Sequence, residues 1–305
     1  MLLSLIFLAA GTMMLYYGAE WIVKGSAGIA RRLGLSSLVI GLTVVAFGTS
    51  LPELIISIIA AIEGSSSIAV GNVIGSNIAN VGLVLGLSAL IFPVSVNYAH
   101  LKRDMFIYLG ACGLFVLFAF DGRLSRFEGT VLFIGLVLYI SLCLKSPRGE
   151  ESEAEDREES TGRLSLFVVA GITLLAFGAH LFVDGAIFLA RFIGVSEIVI
   201  GMSVVAFGTS LPELATSAMA AFRNESAISV GNIIGSNIFN ILSVLGLASI
   251  ISPLDSPKDI MSFEVPIMVG YGITMIVIAK LQQPVHRFIS ATLLIGYFIF
   301  IYLLF

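Results

Sequence analysis

Gly48-Thr49-Ser50-Leu51-Pro52-Glu53 recurs, letter for letter, as Gly208-Thr209-Ser210-Leu211-Pro212-Glu213. Each copy sits inside an apolar stretch long enough to cross a bilayer. Proline withdraws a backbone donor and glycine loosens the turn, so each stretch predicts a helix that breaks in mid-membrane. The break frees carbonyls around Ala46–Thr49 and opens a new half-helix at Pro52. Two hydroxyls and a carboxylate lie beside it. Lipid satisfies none of these groups, and membrane chains keep them at depth where they line a cavity or bind something. Ser50 and Glu53 also have capping-box spacing, with Ser50 as N-cap and Glu53 three residues on. That reading accounts for a helix start, but neither for its depth nor for its repetition.

The rest of the chain supplies the membrane. Of 305 residues, 58% are hydrophobic and 12% charged, with mean hydropathy +1.05. This balance excludes a soluble domain and indicates an all-α integral membrane protein, because only helices satisfy their own backbone in lipid over such apolar runs. At about 20 residues per span there is room for roughly ten helices. They are expected at 2–23, 37–62, 67–92, 104–120, 127–144, 163–189, 197–222, 227–251, 262–280 and 286–304. The first lacks a basic start and a small-residue cleavage site, and reads as a span rather than a signal peptide. Cys112 and Cys143 fall inside spans without metal-ligand spacing and read as small buried hydrophobes. The net charge of -4 gives no indication of nucleic acid, and most of the acid excess is one run, seven acids within Glu150–Glu159. That run lies in a polar segment, residues 145–162, which reads as a linker. It lacks the glycine turn and alternating ligands of a calcium-binding EF-hand loop.

The linker divides two repeats, residues 1–144 and 163–305. Shifted by 160, Gly41–Leu54 matches Gly201–Leu214 at 12 of 14 positions, and Ile68–Leu87 matches Ile228–Leu247 at 14 of 20. The first and sixth spans match more weakly, through Gly18-Ala19 with Gly178-Ala179 and Gly25 with Gly185. Five spans separate equivalent positions, an odd number, so the second five-helix repeat enters from the opposite side. Inverted-topology repeats of this kind are common among secondary transporters. With the N-terminus outside, twelve Lys and Arg residues, Lys24, Arg31, Arg32, Lys102 and Arg103 among them, fall in inside loops against four outside. Positive residues gather inside, so both termini are expected outside and the acidic linker in the cytoplasm.

A second polar cluster follows in each half: Gly71-Asn72, Gly75-Ser76-Asn77 and Asn80, mirrored by Gly231-Asn232, Gly235-Ser236-Asn237 and Asn240. Ser76 and Asn80 are four apart and share a helix face. The glycines permit close helix approach and the amides join helices; the oxygens of Ser76 and Asn80 are also free to face a ligand. Together the clusters hold two carboxylates, hydroxyls, amide oxygens and freed carbonyls, with no Cys or His. An all-oxygen set suits calcium or sodium and argues against zinc or copper. Two carboxylates in a low dielectric repel or take up protons; one divalent cation offsets both.

The paired Gly-Thr-Ser-Leu-Pro-Glu and Gly-Asn-x-Ile-Gly-Ser-Asn stretches resemble the repeats of the cation/calcium exchanger superfamily, above all its prokaryotic sodium/calcium exchanger group. The resemblance spans essentially the whole chain. It implies sodium/calcium antiport by alternating access, in a multi-pass protein of the cell membrane with no cofactor, the transported ions and the bilayer being its partners. It implies four ion positions in a diamond at the midplane. The implied ligands are Ala46 (carbonyl), Thr49, Ser50, Glu53, Ser76 and Asn80, then Ala206 (carbonyl), Thr209, Ser210, Glu213, Ser236 and Asn240, with Glu53 and Glu213 bridging calcium. Some relatives carry Asp where this chain has Asn240, and an acid there is associated with potassium use. The alternatives are a proton-driven or potassium-dependent exchanger of the same fold. Proton-coupled relatives tend to carry a carboxylate where this chain has Gly-Ser-Asn. Inverted halves and a closed ligand set argue against a channel. Neither motif copy holds a histidine base, which argues against an intramembrane enzyme. Glu20 and His180 are repeat equivalents, as are Lys24 and Asp184, and are expected to pair locally or snorkel. His100 and His286 read as loop residues.

Overall fold

The computed structural model describes residues 2–145, 159–194, 206–256, 260–281 and 284–304. In chain order its helices are α1 (Leu2–Leu33), α2 (Ser37–Thr49), α3 (Leu51–Ile62), α4 (Ser66–Ile91), α5 (Tyr98–Phe118) and α6 (Arg126–Leu144). They continue as α7 (Thr161–Phe192), α8 (Ala206–Thr209), α9 (Leu211–Phe222), α10 (Ser226–Ile251), α11 (Ile260–Lys280) and α12 (Arg287–Leu303). Among the described residues seven helices are long and apolar enough to cross a membrane, and an eighth if α2 and α3, bent by 45° at Ser50, are one broken span. Helix α12 is apolar but shorter. The result is a mostly helical membrane protein.

Helix ends follow local chemistry. Gly34, at φ +65°, closes α1, a conformation that costs glycine nothing. Asn97 caps α5 by accepting the Ala99 N–H at 2.9 Å, and Ser125 with Glu128 forms a complete capping box at α6. These signals move several expected boundaries. The first span continues through Lys24 and Arg32 to Leu33, and the span expected at 104–120 starts at Tyr98. His100 therefore lies in the first helical turn of α5 rather than in a loop, and His286 is the N-cap of α12, accepting the Phe288 N–H at 3.2 Å. The span expected at 197–222 is described only from Ala206. Arg148, Arg157, Lys258 and most of the expected linker lie outside the described residues. Of the linker, Glu159 docks on α1: Lys24 Nζ lies 3.0 Å from Glu159 Oε1, and Arg32 donates to its carbonyl at 2.7 Å. A two-stranded antiparallel ribbon, β1 (Arg123–Leu124) with β2 (Leu254–Asp255), joins the ends of α5 and α10, an element that the all-helical expectation misses.

Two packed layers carry the site. Helices α1 and α7 lie along each other, with their own core around Ile22, Val23 and Leu175. Gly11 meets the Gly178 carbonyl and Gly18 meets Gly171, so these repeat-equivalent helices run antiparallel. A Cβ at Gly18 would stand 2.9 Å from the Leu175 backbone nitrogen, so the seven-residue glycine spacing is what lets the backbones touch. The other layer surrounds α4 and α10, almost wholly buried through Ile74, Ile78, Ile234 and Ile238. Residues such as Leu117, Phe127, Phe288 and Tyr302 stand exposed on the outer helices, as a lipid-facing surface requires.

Candidate functional site

The repeated break is real, and its chemistry differs from a capping box. Helix α2 ends at Thr49, Ser50 takes φ -84° and ψ 5°, and α3 starts at Leu51 with Pro52 in its first turn. Ser210 repeats this at φ -86° and ψ 2° before α9. Proline at that position costs nothing, because the first turn needs no donor there. Neither serine caps its helix with its side chain. Ser50 Oγ instead reaches into the other half and donates to Glu213 Oε1 at 3.3 Å, while Ser210 Oγ has no hydrogen-bond partner among the described residues. The capping-box alternative is thereby removed at both copies.

The freed carbonyls need one refinement. The Ala46 carbonyl keeps a helical partner, the Ser50 N–H at 3.0 Å. Its remaining lone pair is where Thr49 Oγ1 (3.4 Å) and Ser236 Oγ (3.5 Å) converge. In the second copy the Ser210 N–H bonds the Phe207 carbonyl instead, at 3.2 Å, one residue nearer the break. The lost donor belongs to Pro52 and Pro212, so the carbonyls four residues before them, on Gly48 and Gly208, are the ones deprived.

Glu53 and Glu213 open α3 and α9 and are each only 1% exposed. Ser76 Oγ donates to Glu53 Oε1 at 3.5 Å. The second oxygens, Glu53 Oε2 and Glu213 Oε2, have no hydrogen-bond partner among the described residues. The amides complete the pattern across the halves. Asn80 Nδ2 donates to Asn237 Oδ1 at 3.0 Å, and Asn240 Nδ2 donates to Asn77 Oδ1 at 3.2 Å. This leaves Asn80 Oδ1 and Asn240 Oδ1 buried and without a partner among the described residues. A buried acceptor without a donor is costly, and four such oxygens in repeat-equivalent pairs make a place for a cation.

The structure thus joins Ala46 and Thr49 to Ser236, Ser50 to Glu213 and Ser76 to Glu53, pairs Asn80 and Asn240 with Asn237 and Asn77 of the opposite repeats, and sets Ser210 at the second break. Thr49 Oγ1 also bonds Asn232 Oδ1 at 3.0 Å and stands 3.3 Å from Ser236 Oγ. Ala206 and Thr209 form the short helix α8 at the second break. Three features escaped sequence reasoning. Ser57 and Ser217 accept hydrogen bonds from Asn72 Nδ2 (2.9 Å) and Asn232 Nδ2 (3.0 Å), whose amides also reach the Glu53 and Glu213 carbonyls, tying each half-helix to its neighbour. The signal was there, since Ser57 and Ser217 are 160 apart. Asn80 and Asn240 each start a π-helical turn, Asn80–Leu85 and Asn240–Leu245, a distortion frequent at functional sites that no residue pattern announces. Helix α7 crosses both breaks, placing Ile172 against Gly48 and Val183 against Gly208.

No group of three or more His, Cys, Asp or Glu side chains gathers among the described residues. Two carboxylates among neutral oxygens suit a hard cation. The family model described as "Sodium/calcium exchanger protein" matches residues 3–145 and 164–305. The chain belongs to the sodium/calcium exchanger family. Sodium/calcium exchanger MaX1 of Methanosarcina acetivorans is 34% identical over 344 residues, covering 99% of this chain and 98% of that protein. Uncharacterized membrane protein MJ0091 of Methanocaldococcus jannaschii is 44% identical over 245 residues, 79% of either chain. A structure of the sodium-calcium exchanger NCX_Mj soaked with zero Na+ and Ca2+ superposes with TM-score 0.88 at 36% identity, over 100% of this chain and 99% of that one. As a sodium/calcium exchanger family member, this chain is a membrane antiporter rather than an enzyme.

Proposed function

We propose that this exchanger carries sodium one way and calcium the other through a single site between two inverted five-helix repeats. The observation that carries the reading is the set of four unpartnered buried oxygens, Glu53 Oε2, Glu213 Oε2, Asn80 Oδ1 and Asn240 Oδ1. With Ser50, Ser76, Thr49, Ser210, Thr209, Ser236 and the Ala46 and Ala206 carbonyls they form an all-oxygen ligand set. Its fixed charge is about -2, which one calcium ion balances. Sodium displaces calcium only as several ions, so the loaded states differ in charge.

The antiparallel run of α1 against α7 supports inversion, as does the pairing of Asn80 with Asn237 and Asn77 with Asn240. Among the described residues, the seven long helices, the broken span α2–α3, α8 with α9, and the shorter α12 support a count of ten. The termini lie outside, the acidic linker in the cytoplasm, and the protein in the cell membrane; the placement of basic residues supports this. Alternating access follows if α1 and α7 move together over the site. Their continuous glycine contact and the seat of Ile172 and Val183 at the two breaks support such coupling. Asn240 is an amide and holds no proton to exchange, which favours sodium over proton or potassium coupling. Calcium uptake into proteoliposomes under separate sodium, potassium and proton gradients tests the reading; uptake on a proton gradient without sodium would overturn it.

A further inference from the structure

The amide ends of Asn80 and Asn240 are not free choices. An amide presents a carbonyl or an NH2 depending on which end its neighbours satisfy. Asn237 offers its carbonyl oxygen to Asn80, and Asn77 offers its own to Asn240, at 3.0 and 3.2 Å, all four residues being within 1% of full burial. Asn77 is held in turn, its Nδ2 lying 3.5 Å from Met268 Sδ on α11. Thioether sulfur accepts weakly but donates nothing, so turning Asn77 over would press its carbonyl onto a group that cannot satisfy it. We propose that Asn77 and Asn237 are positioning residues for the transported cation, each holding the other repeat's amide by its NH2 so that its oxygen stays available to the ion. The proposal rests on the ion-binding reading above and adds a specificity element. With Asn77 and Met268 so placed, position 240 has to donate a hydrogen. An ionised carboxylate there has none to give, so this shell selects a neutral ligand at 240 and keeps the fixed charge at two glutamates.

The test compares Asn77→Leu, which removes the acceptor at similar size, with Met268→Leu, which leaves the acceptor in place and removes only the sulfur beside it. Calcium binding by calorimetry, the half-saturation and maximal rate of uptake, and thermal melting are read on the full-length protein. Asn77→Leu is expected to weaken calcium binding about tenfold or more, roughly 1.4 kcal/mol, and to raise half-saturation more than it lowers maximal rate. Met268→Leu is expected to stay within a few-fold of the parent, because leucine satisfies a turned-over carbonyl no better than sulfur and Asn77 keeps its orientation. Equal losses in both variants alongside a lowered melting temperature, or unchanged binding in Asn77→Leu, overturn the proposal. If Asn77→Leu does not fold, Asn237→Leu makes the same comparison through Asn80. If the parent protein itself binds no calcium, the ion reading fails instead.

A second inference comes from charges away from the site. Arg223, the C-cap of α9, is ion-paired with Glu20 of α1. At a shift of 160 the equivalent positions are Glu63 (from 223), the C-cap of α3, and His180 (from 20) of α7. An acid and an imidazole stand there, with the acid now on the capping residue, but the pair is not made. His180 lies 3.6 Å from Asp184, Glu63 is exposed and joins no ion pair among the described residues, and α7 makes at most marginal contact with α3 while α1 lies along α9. We infer that Glu20–Arg223 and Glu63–His180 are reciprocal locks, one closed on each membrane face in turn. This rests on the inverted repeat and on alternating access.

Paired cysteines test it: Glu20→Cys with Arg223→Cys, and Glu63→Cys with His180→Cys, cross-linked by a short thiol reagent during turnover. Cys112 and Cys143 are buried and do not compete. Both pairs are expected to cross-link, each stopping exchange, and Arg223→Gln is expected to raise the yield at 63 and 180 several-fold. If 63 and 180 never cross-link while the parent exchanges normally, the locks are wrong and the exchange reading stands. If the parent exchanges nothing, that reading fails first.

Discussion

Glu213→Gln separates charge from shape at the site. The carboxylate is buried, accepts the Ser50 hydroxyl at 3.3 Å through Oε1, and leaves Oε2 unpartnered. Glutamine keeps the size and an oxygen for Ser50, so what is lost is one negative charge. Two unit charges about 4 Å apart at an effective dielectric near 20 interact by about 4 kcal/mol. For a divalent ion the gross loss is then about 8 kcal/mol, against about 4 for sodium. Desolvation returns part of this, and removing one partner of a buried ionic contact costs about 3–5 kcal/mol net. At about 1.4 kcal/mol per tenfold, calcium half-saturation is expected to rise by about two to three and a half orders of magnitude. Sodium binding is expected to weaken by roughly the square root of that factor per ion. The helix itself loses little, because neither serine makes a side-chain cap here and a first-turn carboxylate contributes only about 0.3–1 kcal/mol. The assay is calcium uptake against calcium concentration in proteoliposomes, with a thermal melt of the purified variant beside it. A well-folded variant whose calcium half-saturation moves less than about threefold, under about 0.7 kcal/mol, refutes the charge argument at this position.

Glu53→Gln is expected to match it, because Glu53 Oε2 is likewise unpartnered; uptake curves that differ by orders of magnitude between the two variants would contradict a symmetric bridge. Gly231→Val is expected to destabilise by about 1–3 kcal/mol in thermal melts, since a Cβ there would stand 2.9 Å from the Leu38 carbonyl and 3.0 Å from the Leu42 nitrogen. Glu159→Ala is expected to cost at most about 1 kcal/mol, as exposed ion pairs do, and to leave calcium half-saturation unchanged; a shift in half-saturation would make the linker end regulatory. Single cysteines at Leu33 and Asp255 are expected to label from opposite faces, 255 from outside in intact cells; labelling of both from one side sinks the proposed orientation.

The parts of this molecule written in local chemistry were legible from sequence. Pro52 and Pro212 remove donors wherever they stand, so the breaks were readable. Gaps of 160 residues between Glu53 and Glu213, or Asn80 and Asn240, announced the pairing of the halves. What depended on three-dimensional competition was not. Ser50 satisfies the same spacing rule as Ser125, yet Ser125 caps its helix while Ser50 turns to Glu213 across the chain. Asn77 and Asn80 have the same side chain, and only the partner opposite decides which keeps its oxygen free. The extension of α1 to Leu33 was hidden because Lys24, Arg31 and Arg32 look like a loop in a hydropathy scan, although an interfacial helix carries such residues readily.

The central claim is sodium-for-calcium exchange at a site with two fixed charges. It is met most directly by calcium uptake into sodium-loaded proteoliposomes, in potassium-free medium with no pH gradient and the membrane potential clamped. The account predicts uptake that collapses when internal sodium is replaced, needs no potassium, and runs faster with the interior positive, because more positive charge leaves with sodium than enters with calcium. Uptake that proceeds without sodium on a proton gradient, or that fails until potassium is added, would contradict it.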